Sequence, residues 1–311
     1  GHAGMVGSAI VRKLLLRQDI NVVTVPRKRL DLLNQSDVLS FFRKERPDEV
    51  IVAAAKVGGI IANNSYPANF IYENIQLQSN LINSAHMFNV QKLLFLGSSC
   101  IYPRDCVQPI TESAMLSGYL EKTNEPYAIA KIAGLKMCEY YNKQYNTDFR
   151  SVMPTNIYGL NDKYHKDNSH VIPAMIMKFH EAKINKKASV SVWGTGKAKR
   201  EFIFVDDMVK LCLIFLFKSK KKYFKFLDKN KISFLNIGSG QELSIKDLSL
   251  MIKKIVNFKG KIIFDKKKKD GTPRKFLDTS CLRKLIKKNE NFVSLKEGLI
   301  KTYSDFLKNK I

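Results

Sequence analysis

Tyr127 and Lys131 stand at i and i+4 within NEPYAIAKIAG, so a helix through that segment puts both on one face. A phenol beside an ammonium is expected to have a lowered pKa, which suits it to hand a proton to an alkoxide. The spacing alone is not diagnostic, because a lysine-rich chain with 12 tyrosines produces such a pair by chance. Upstream, GSSCIYP follows the apolar run Lys92–Leu96. In extended chain Ser98 and Cys100 point the same way, one offering a hydroxyl to a carbonyl and the other a thiol. A free cysteine is otherwise a small buried hydrophobe.

A second constellation opens the chain. Gly1, Gly4 and Gly7 form GxxGxxG directly before a helical pattern, a spacing that lets backbone approach a pyrophosphate held at a helix N-terminus. About twenty residues on, where a carboxylate would take a ribose 2′-hydroxyl, the chain instead has Arg27, Lys28 and Arg29. That cationic cluster favours a 2′-phosphate and therefore NADP over NAD. Asp31 and Leu32 follow, placed to meet an adenine edge.

These residues need a scaffold, and the first 150 residues supply an α/β rhythm. Asn21–Val25, Glu49–Ala54, Lys92–Leu96 and Phe149–Met153 read as short apolar strands of a parallel sheet covered on both faces. Met5–Gln18, Gln35–Glu45, Asn69–Asn89 and Asn124–Gln144 have helical length and spacing. After Pro154 the rhythm breaks. Helices are expected at Val171–Ala182, Asp206–Lys218, Ser244–Val256 and Ser294–Leu307, with strands at Val190–Trp193, Phe202–Phe204, LNIGSG and KIIFD. The expectation is a doubly wound parallel sheet of Rossmann type over residues 1–160. Residues 161–311 form a smaller C-terminal substrate domain interleaved with the last strands of that sheet.

Lys and Arg number 53 against 28 Asp and Glu, a formal net charge of +25. The excess is C-terminal, in runs such as Lys218–Lys222 and Lys266–Lys269 with few arginines among them. Arginine is the residue suited to bidentate phosphate and base readout, so these runs read as a solvated surface able to steer an anionic substrate. A basic nucleic-acid-binding protein is the alternative of a different class. Five scattered cysteines without CxxC spacing fit reduced thiols, with no metal site. No apolar run is long enough to span a bilayer and the N-terminus shows no secretory pattern, so the expected location is the cytoplasm.

Taken together, the GxxGxxG start, AAAKVGGI, GSSCIYP, NEPYAIAKIAG, MPTNIYG, NSHVIP, REFIFVDD and DGTPRK resemble the GDP-L-fucose synthases. These are NADP-dependent bifunctional 3,5-epimerase/4-reductases of the extended short-chain dehydrogenase/reductase superfamily, and the likeness covers essentially the whole chain. It implies the substrate GDP-4-keto-6-deoxy-D-mannose, whose C4 carbonyl acidifies the hydrogens on C3 and C5. Cys100 is then the base and His170 the acid, while Ser98 and Tyr127 hold the C4 oxygen and Lys131 tunes Tyr127 and holds the nicotinamide ribose. The cofactor would lie along Gly1, Gly4, Met5, Val6 and Gly7, reach Arg27, Asp31 and Leu32, and cross Leu96, Gly97, Ser98 and Ser99. Its nicotinamide end would meet Lys131, Pro154, Thr155, Asn156, Ile157 and His170. Lys178, Trp193, Arg200 and Asp270 would bind the GDP-sugar. Ala3 replaces an arginine common in that family, which predicts weaker NADPH binding. A homodimer through helices such as Asn69–Asn89 and Asn124–Gln144 is implied by analogy with related reductases. Another nucleotide-sugar epimerase or dehydratase of the same fold is the nearer alternative.

A glycine turn of this kind is normally fed by a strand, and this sequence begins at the turn itself. The expectation is an N-terminally truncated chain that folds poorly, binds NADPH weakly, and leaves Asn21–Val25 and Lys92–Leu96 with unpaired edges.

Overall fold

The computed structural model describes residues 1–165, 169–268, 271–286 and 291–309; of residues 60, 61 and 309 it describes the backbone alone. In chain order the strands are β1 Glu49–Val52, β2 Lys92–Leu96, β3 Phe149–Pro154, β4 Asn156–Tyr158, β5 Ser189–Trp193, β6 Lys199–Phe204, β7 Leu235–Ile237, β8 Glu242–Ser244, β9 Lys261–Asp265 and β10 Arg274–Lys275. The helices are α1 Met5–Leu14, α2 Gln35–Glu45, α3 Ile60–Ser65, α4 Pro67–Met87, α5 Glu125–Tyr145, α6 Val171–Ile184, α7 Val205–Phe217, α8 Lys220–Lys229, α9 Ile245–Val256, α10 Ser280–Leu285 and α11 Leu295–Asn309.

The first sheet is parallel throughout, in the order β1-β2-β3-β7. Successive side chains of β2 enter opposite layers. Leu93 and Phe95 join a core with residues of α2, α4 and α5, while Leu94 and Leu96 join one with residues of α1, α7 and α8. This is why the strand is apolar at nearly every position instead of alternating. A second sheet, β10-β6-β4 with β8 antiparallel on β6, and the parallel pair β5-β9 pack with α6, α9 and α11 around a third core. The strand β7 comes from the C-terminal half of the chain yet pairs with β3, so the two halves interleave.

The expected strand at Asn21–Val25 is not one: residues 20–25 have no regular secondary structure and belong to no ladder among the described residues. The prediction for Lys92–Leu96 is also corrected, since β2 pairs with β1 on one side and β3 on the other. Among the described residues the outer strands of that sheet are instead β1 and β7. Extended backbone becomes a strand only when a neighbour takes its amides and carbonyls, and residues 21–25 face across a gap towards β1. Both segments line one continuous cleft. Gly1 sits at the far end of that gap, its Cα so close to the Ala53 carbonyl that an added Cβ would lie 2.1 Å from the oxygen.

The lysine run at 218–222 also hides an element. α8 is amphipathic, with Tyr223 and Leu227 one turn apart and buried under a face of exposed lysines. Chain ahead of Gly1 would run beside β1, so a β-branched six-residue strand added there is expected to raise the thermal midpoint, each ~1 kcal/mol gained giving about 2–4 °C. A Gly/Ser extension of equal length is the control, and equal midpoints for the two would show that β1 does not accept a partner.

Candidate active site

One cleft of ≈ 1870 Å³ takes in the gap between residues 21–25 and β1, passes the carboxyl ends of the first sheet and reaches the second. At its inner end the Gly4 N–H donates to the Gly1 carbonyl (3.1 Å), closing the turn that starts α1. An added Cβ on Gly7 would lie 2.0 Å from the Gly1 oxygen, so only glycine permits this approach, whereas at Gly4 the nearest atom would be 3.5 Å away. The α1 N-cap is Gly4, without a side-chain cap, and the first turn carries no acidic residue. The helix therefore presents uncapped amides and the positive end of its dipole to the cleft, a fit for the diphosphate of a dinucleotide. Of the cationic cluster at 27–29, Arg27 lines the cleft, together with Asp31 and Leu32.

The middle of the cleft is built by β2 and α5. The chain leaves β2 at Gly97, where a side chain would strike the Met153 thioether. It does not stay extended as the sequence suggests: Ser98 caps a 3₁₀ turn over Ser99–Ile101 and its hydroxyl accepts the Cys100 amide at 3.3 Å. Ser98 and Cys100 still both line the cleft, brought there by the cap and not by strand alternation. On α5, Lys131 is buried and its Nζ donates to the Leu96 carbonyl at 2.9 Å. The same ammonium lies 5.7 Å from the centre of the Tyr127 ring, which also meets the Phe70 ring in a T-shaped contact.

Electrostatics here differ from the sequence expectation. Burial, with the Cys100 charge adding to it, pushes the Tyr127 phenol up, and burial brings the Lys131 ammonium down to about 8. Desolvation outweighs the attraction that was expected to lower the phenol. Tyr127 is thus protonated across the neutral range, the form needed in a proton donor. Burial also raises the Cys100 thiol, against the pull of Lys275 and Lys131 and the Ser98 hydrogen bond. Cys100 is therefore mainly a thiol near neutral pH and must lose its proton before it can serve as a base. His170 lies just ahead of α6 on the cleft wall, reachable by solvent but surrounded by protein that lowers its pKa through desolvation.

Pro154, Thr155, Asn156 and Ile157 line the cleft between β3 and β4, where the Asn156 amide donates to the Glu201 carbonyl at 2.8 Å. The outer wall is cationic. Trp193 ends β5, 39% exposed, with Lys178 Nζ 4.7 Å and Lys268 Nζ 5.5 Å from its ring centre. Arg200 pairs with Lys275 across β6 and β10, and both line the cleft. Asp270 lies outside the described residues.

Residues 1–225 match the model of the NAD dependent epimerase/dehydratase family. The chain belongs to that family. Within it, the chain is 51% identical over 310 residues to the GDP-L-fucose synthase of Escherichia coli (strain K12), covering 100% of this chain and 96% of that protein. It is 52% identical to GDP-L-fucose synthase 1 of Arabidopsis thaliana, over 99% of this chain and 92% of the relative. Among solved structures, a GDP-D-glycero-L-gluco-heptose synthase from Campylobacter jejuni, determined in the presence of NADPH, superposes with TM-score 0.88 at 34% identity, covering 99% of this chain and 96% of that one. A GDP-L-fucose synthetase from Naegleria fowleri bound to NADP gives TM-score 0.87 at 25% identity, over 100% and 93%.

For this member of the epimerase family, sequence reasoning singled out most of the cleft but missed Lys275 in it and the approach of Lys268 to Trp193. The DGTPRK motif contained Lys275, yet its bearing on Cys100 arises only once β10 pairs with β6. Alternation along β10 separates the two cations there, Arg274 pairing with Glu242 at 2.7 Å while Lys275 lines the cleft. Lys275 favours the thiolate, so removing it should shift Cys100 further up. In Lys275→Met, the pH profile of Cys100 alkylation by iodoacetamide is expected to move to higher pH, with Lys275→Arg close to wild type. Superimposable profiles for Lys275→Met and wild type would break the pairing.

Proposed function

We propose that this protein converts GDP-4-keto-6-deoxy-D-mannose to GDP-L-fucose by inverting C3 and C5 and then reducing C4 with NADPH. The observation that carries this reading is that one cleft holds both a reducing set, Ser98, Tyr127 and Lys131, and a thiol–imidazole pair, Cys100 and His170. A reductase needs only the first set. Relatives named GDP-L-fucose synthase, about half identical over the full chain, support the substrate, and neighbours solved with NADP or NADPH support the cofactor.

Bound along the α1 turn and Arg27, NADPH supplies the hydride that C4 receives. The remaining work belongs to the chain. Cys100 Sγ takes the proton from C3 or C5 and His170 returns one on the opposite face, the C4 oxygen meanwhile holding enolate charge. The Ser98 and Tyr127 hydroxyls donate to that oxygen, stabilising the enolate and later the alkoxide. Tyr127, kept protonated by burial, gives its proton to the alkoxide. Lys131, fixed by Leu96, holds the phenol in place and reaches the nicotinamide ribose. Lys178, Arg200 and Lys275 face the diphosphate, and Trp193 walls the sugar side. Residues 1–160 then serve mainly the cofactor and residues 161–311 mainly the GDP-sugar.

The five free thiols suit a reducing compartment, and we place the enzyme in the cytoplasm. Among the described residues no helix is long and apolar enough to cross a membrane. Exposed Tyr72 on α4 with Ile129 and Tyr140 on α5 form an apolar face on two packed helices, and we infer a homodimer through it. Sedimentation equilibrium should give twice the chain mass, and Tyr72→Glu/Tyr140→Glu the chain mass.

Product analysis by NMR after incubation with GDP-4-keto-6-deoxy-D-mannose and NADPH tests the reaction. GDP-L-fucose is expected, with solvent deuterium entering at C3 and C5. Cys100→Ser should lose most of that exchange while still binding cofactor, because an alcohol is too weak a base. Tyr127→Phe should strike the hydride step hardest, by 10²-fold or more, the usual order for a general acid, and slow exchange less, since Ser98 still donates to the enolate oxygen. Reduction without epimerisation would make the enzyme a simple 4-keto reductase.

A further inference from the structure

The substrate-side loop between β4 and α6 is tied to the cofactor turn by one side chain. Asn161 Nδ2 donates to the Ala3 carbonyl at 3.0 Å and to Ser8 Oγ at 3.2 Å. Ala3 is the residue before the α1 N-cap, and Ser8 returns its own hydroxyl to the Met5 carbonyl at 3.1 Å, so both acceptors belong to the turn that receives the phosphates. The backbone of Asn161 is held as well: it adopts φ 61°, a left-handed conformation that asparagine tolerates, and its N–H donates to Asp305 Oδ2 on α11 at 2.8 Å. From this anchor the chain runs to Lys163, whose carbonyl accepts the Ser169 hydroxyl at 2.6 Å. The same hydroxyl accepts the His165 amide at 2.6 Å. Ser169 immediately precedes His170. A hydrogen-bonded series therefore joins the phosphate turn to the residue that protonates the sugar.

Neither the reaction chemistry nor the cofactor contacts require Asn161, which touches only protein here. We propose that Asn161 is a positioning residue: by fastening the Ala3–Ser8 turn to the loop that carries His170, it makes occupancy of the dinucleotide site favour the productive placement of His170. The inference rests on the epimerase reading of Cys100 and His170. Its consequence is a coupling between two sites, and coupling is reciprocal. Oxidised NADP⁺ cannot deliver hydride, yet its binding should accelerate C3/C5 exchange.

The test measures solvent-deuterium incorporation into GDP-4-keto-6-deoxy-D-mannose with and without saturating NADP⁺, alongside the dissociation constant of NADP⁺ by titration calorimetry. Asn161→Asp keeps the size and the left-handed backbone but loses both donated bonds; Asn161→Gly keeps the backbone and loses the side chain. Wild type should show faster exchange when NADP⁺ is bound. Both variants should bind NADP⁺ roughly three- to tenfold more weakly, the range for losing such hydrogen bonds. At saturating NADP⁺ both should still lack the acceleration, the ratio of exchange with NADP⁺ to exchange without it falling to about one. A merely structural role would lower exchange equally with and without NADP⁺, and that result overturns the proposal. So does wild-type exchange indifferent to NADP⁺. Absence of any exchange in wild type would instead refute the epimerase reading itself.

Discussion

The placement of the reacting groups depends on how closely α5 lies on β2. Gly134 is the point of contact, where a Cβ would stand 2.5 Å from the Phe95 ring and 2.8 Å from the Gln78 side chain. Only at that separation can Lys131, one turn earlier, reach the Leu96 carbonyl and leave its ammonium buried. The bond takes the last carbonyl of the strand, and the chain turns at Gly97 straight into the Ser98 cap. Tyr127, a further turn along the same helix face, thereby lines the cleft with Ser98 and Cys100. A substitution at Gly134 would lift the helix and move the phenol relative to the strand end without touching either.

A second constraint holds the cationic wall against this centre. Glu201 on β6 is fully buried, and its carboxylate accepts the Gly240 amide at 2.8 Å and the Leu277 amide at 3.1 Å. Its own carbonyl accepts Thr155 Oγ1 at 3.2 Å and the Asn156 amide at 2.8 Å. One residue thus fastens the end of β3, the loop after β7 and the segment leaving β10. Gly238 must be glycine for the carboxylate to fit, since a Cβ would lie 2.3 Å from Oε1. Burial raises the pKa of Glu201 while those backbone donors lower it, so the group is a hub satisfied by hydrogen bonds and not by a counter-ion. Arg200 and Lys275 are held beside it in register, facing the same cleft.

Much of this was legible in the chain because a parallel sheet covered on both faces writes itself as short apolar runs. Gln35–Glu45 and Lys92–Leu96 coincide with the observed elements, and Asn34 caps α2 by accepting two amides, as its type predicts. Asn21–Val25 has the same composition and is not a strand, because pairing is a property of the neighbour and composition cannot report it. α8 was hidden for the opposite reason: its lysines dominate the composition, while the buried pair Tyr223 and Leu227 occupies only one face. The glycine turn and the Tyr127–Lys131 face were visible as local spacing. Lys275 was not, because its proximity to Cys100 is created by a strand pair joining residues some seventy-five positions apart in sequence.

The direction of the pKa shifts shows what the fold must overcome. Burial favours neutral forms, so Cys100 rests as a thiol and His170 as a free imidazole, the reverse of the charged pair that begins a base–acid exchange. The thiolate–imidazolium form that the proposed exchange requires is then a minor one. When a base has the higher pKa of such a pair and the acid the lower, the fraction in the productive form is nevertheless constant between the two values and falls outside them. The same desolvation that makes this form scarce strengthens each charge interaction within it. Lys131 and Lys275 act on the thiolate side, and desolvation leaves the proton of His170 weakly held. Scarcity of the reactive form and reactivity of that form have one physical origin, desolvation by the surrounding protein, and the two lysines determine how much of the first is needed to obtain the second.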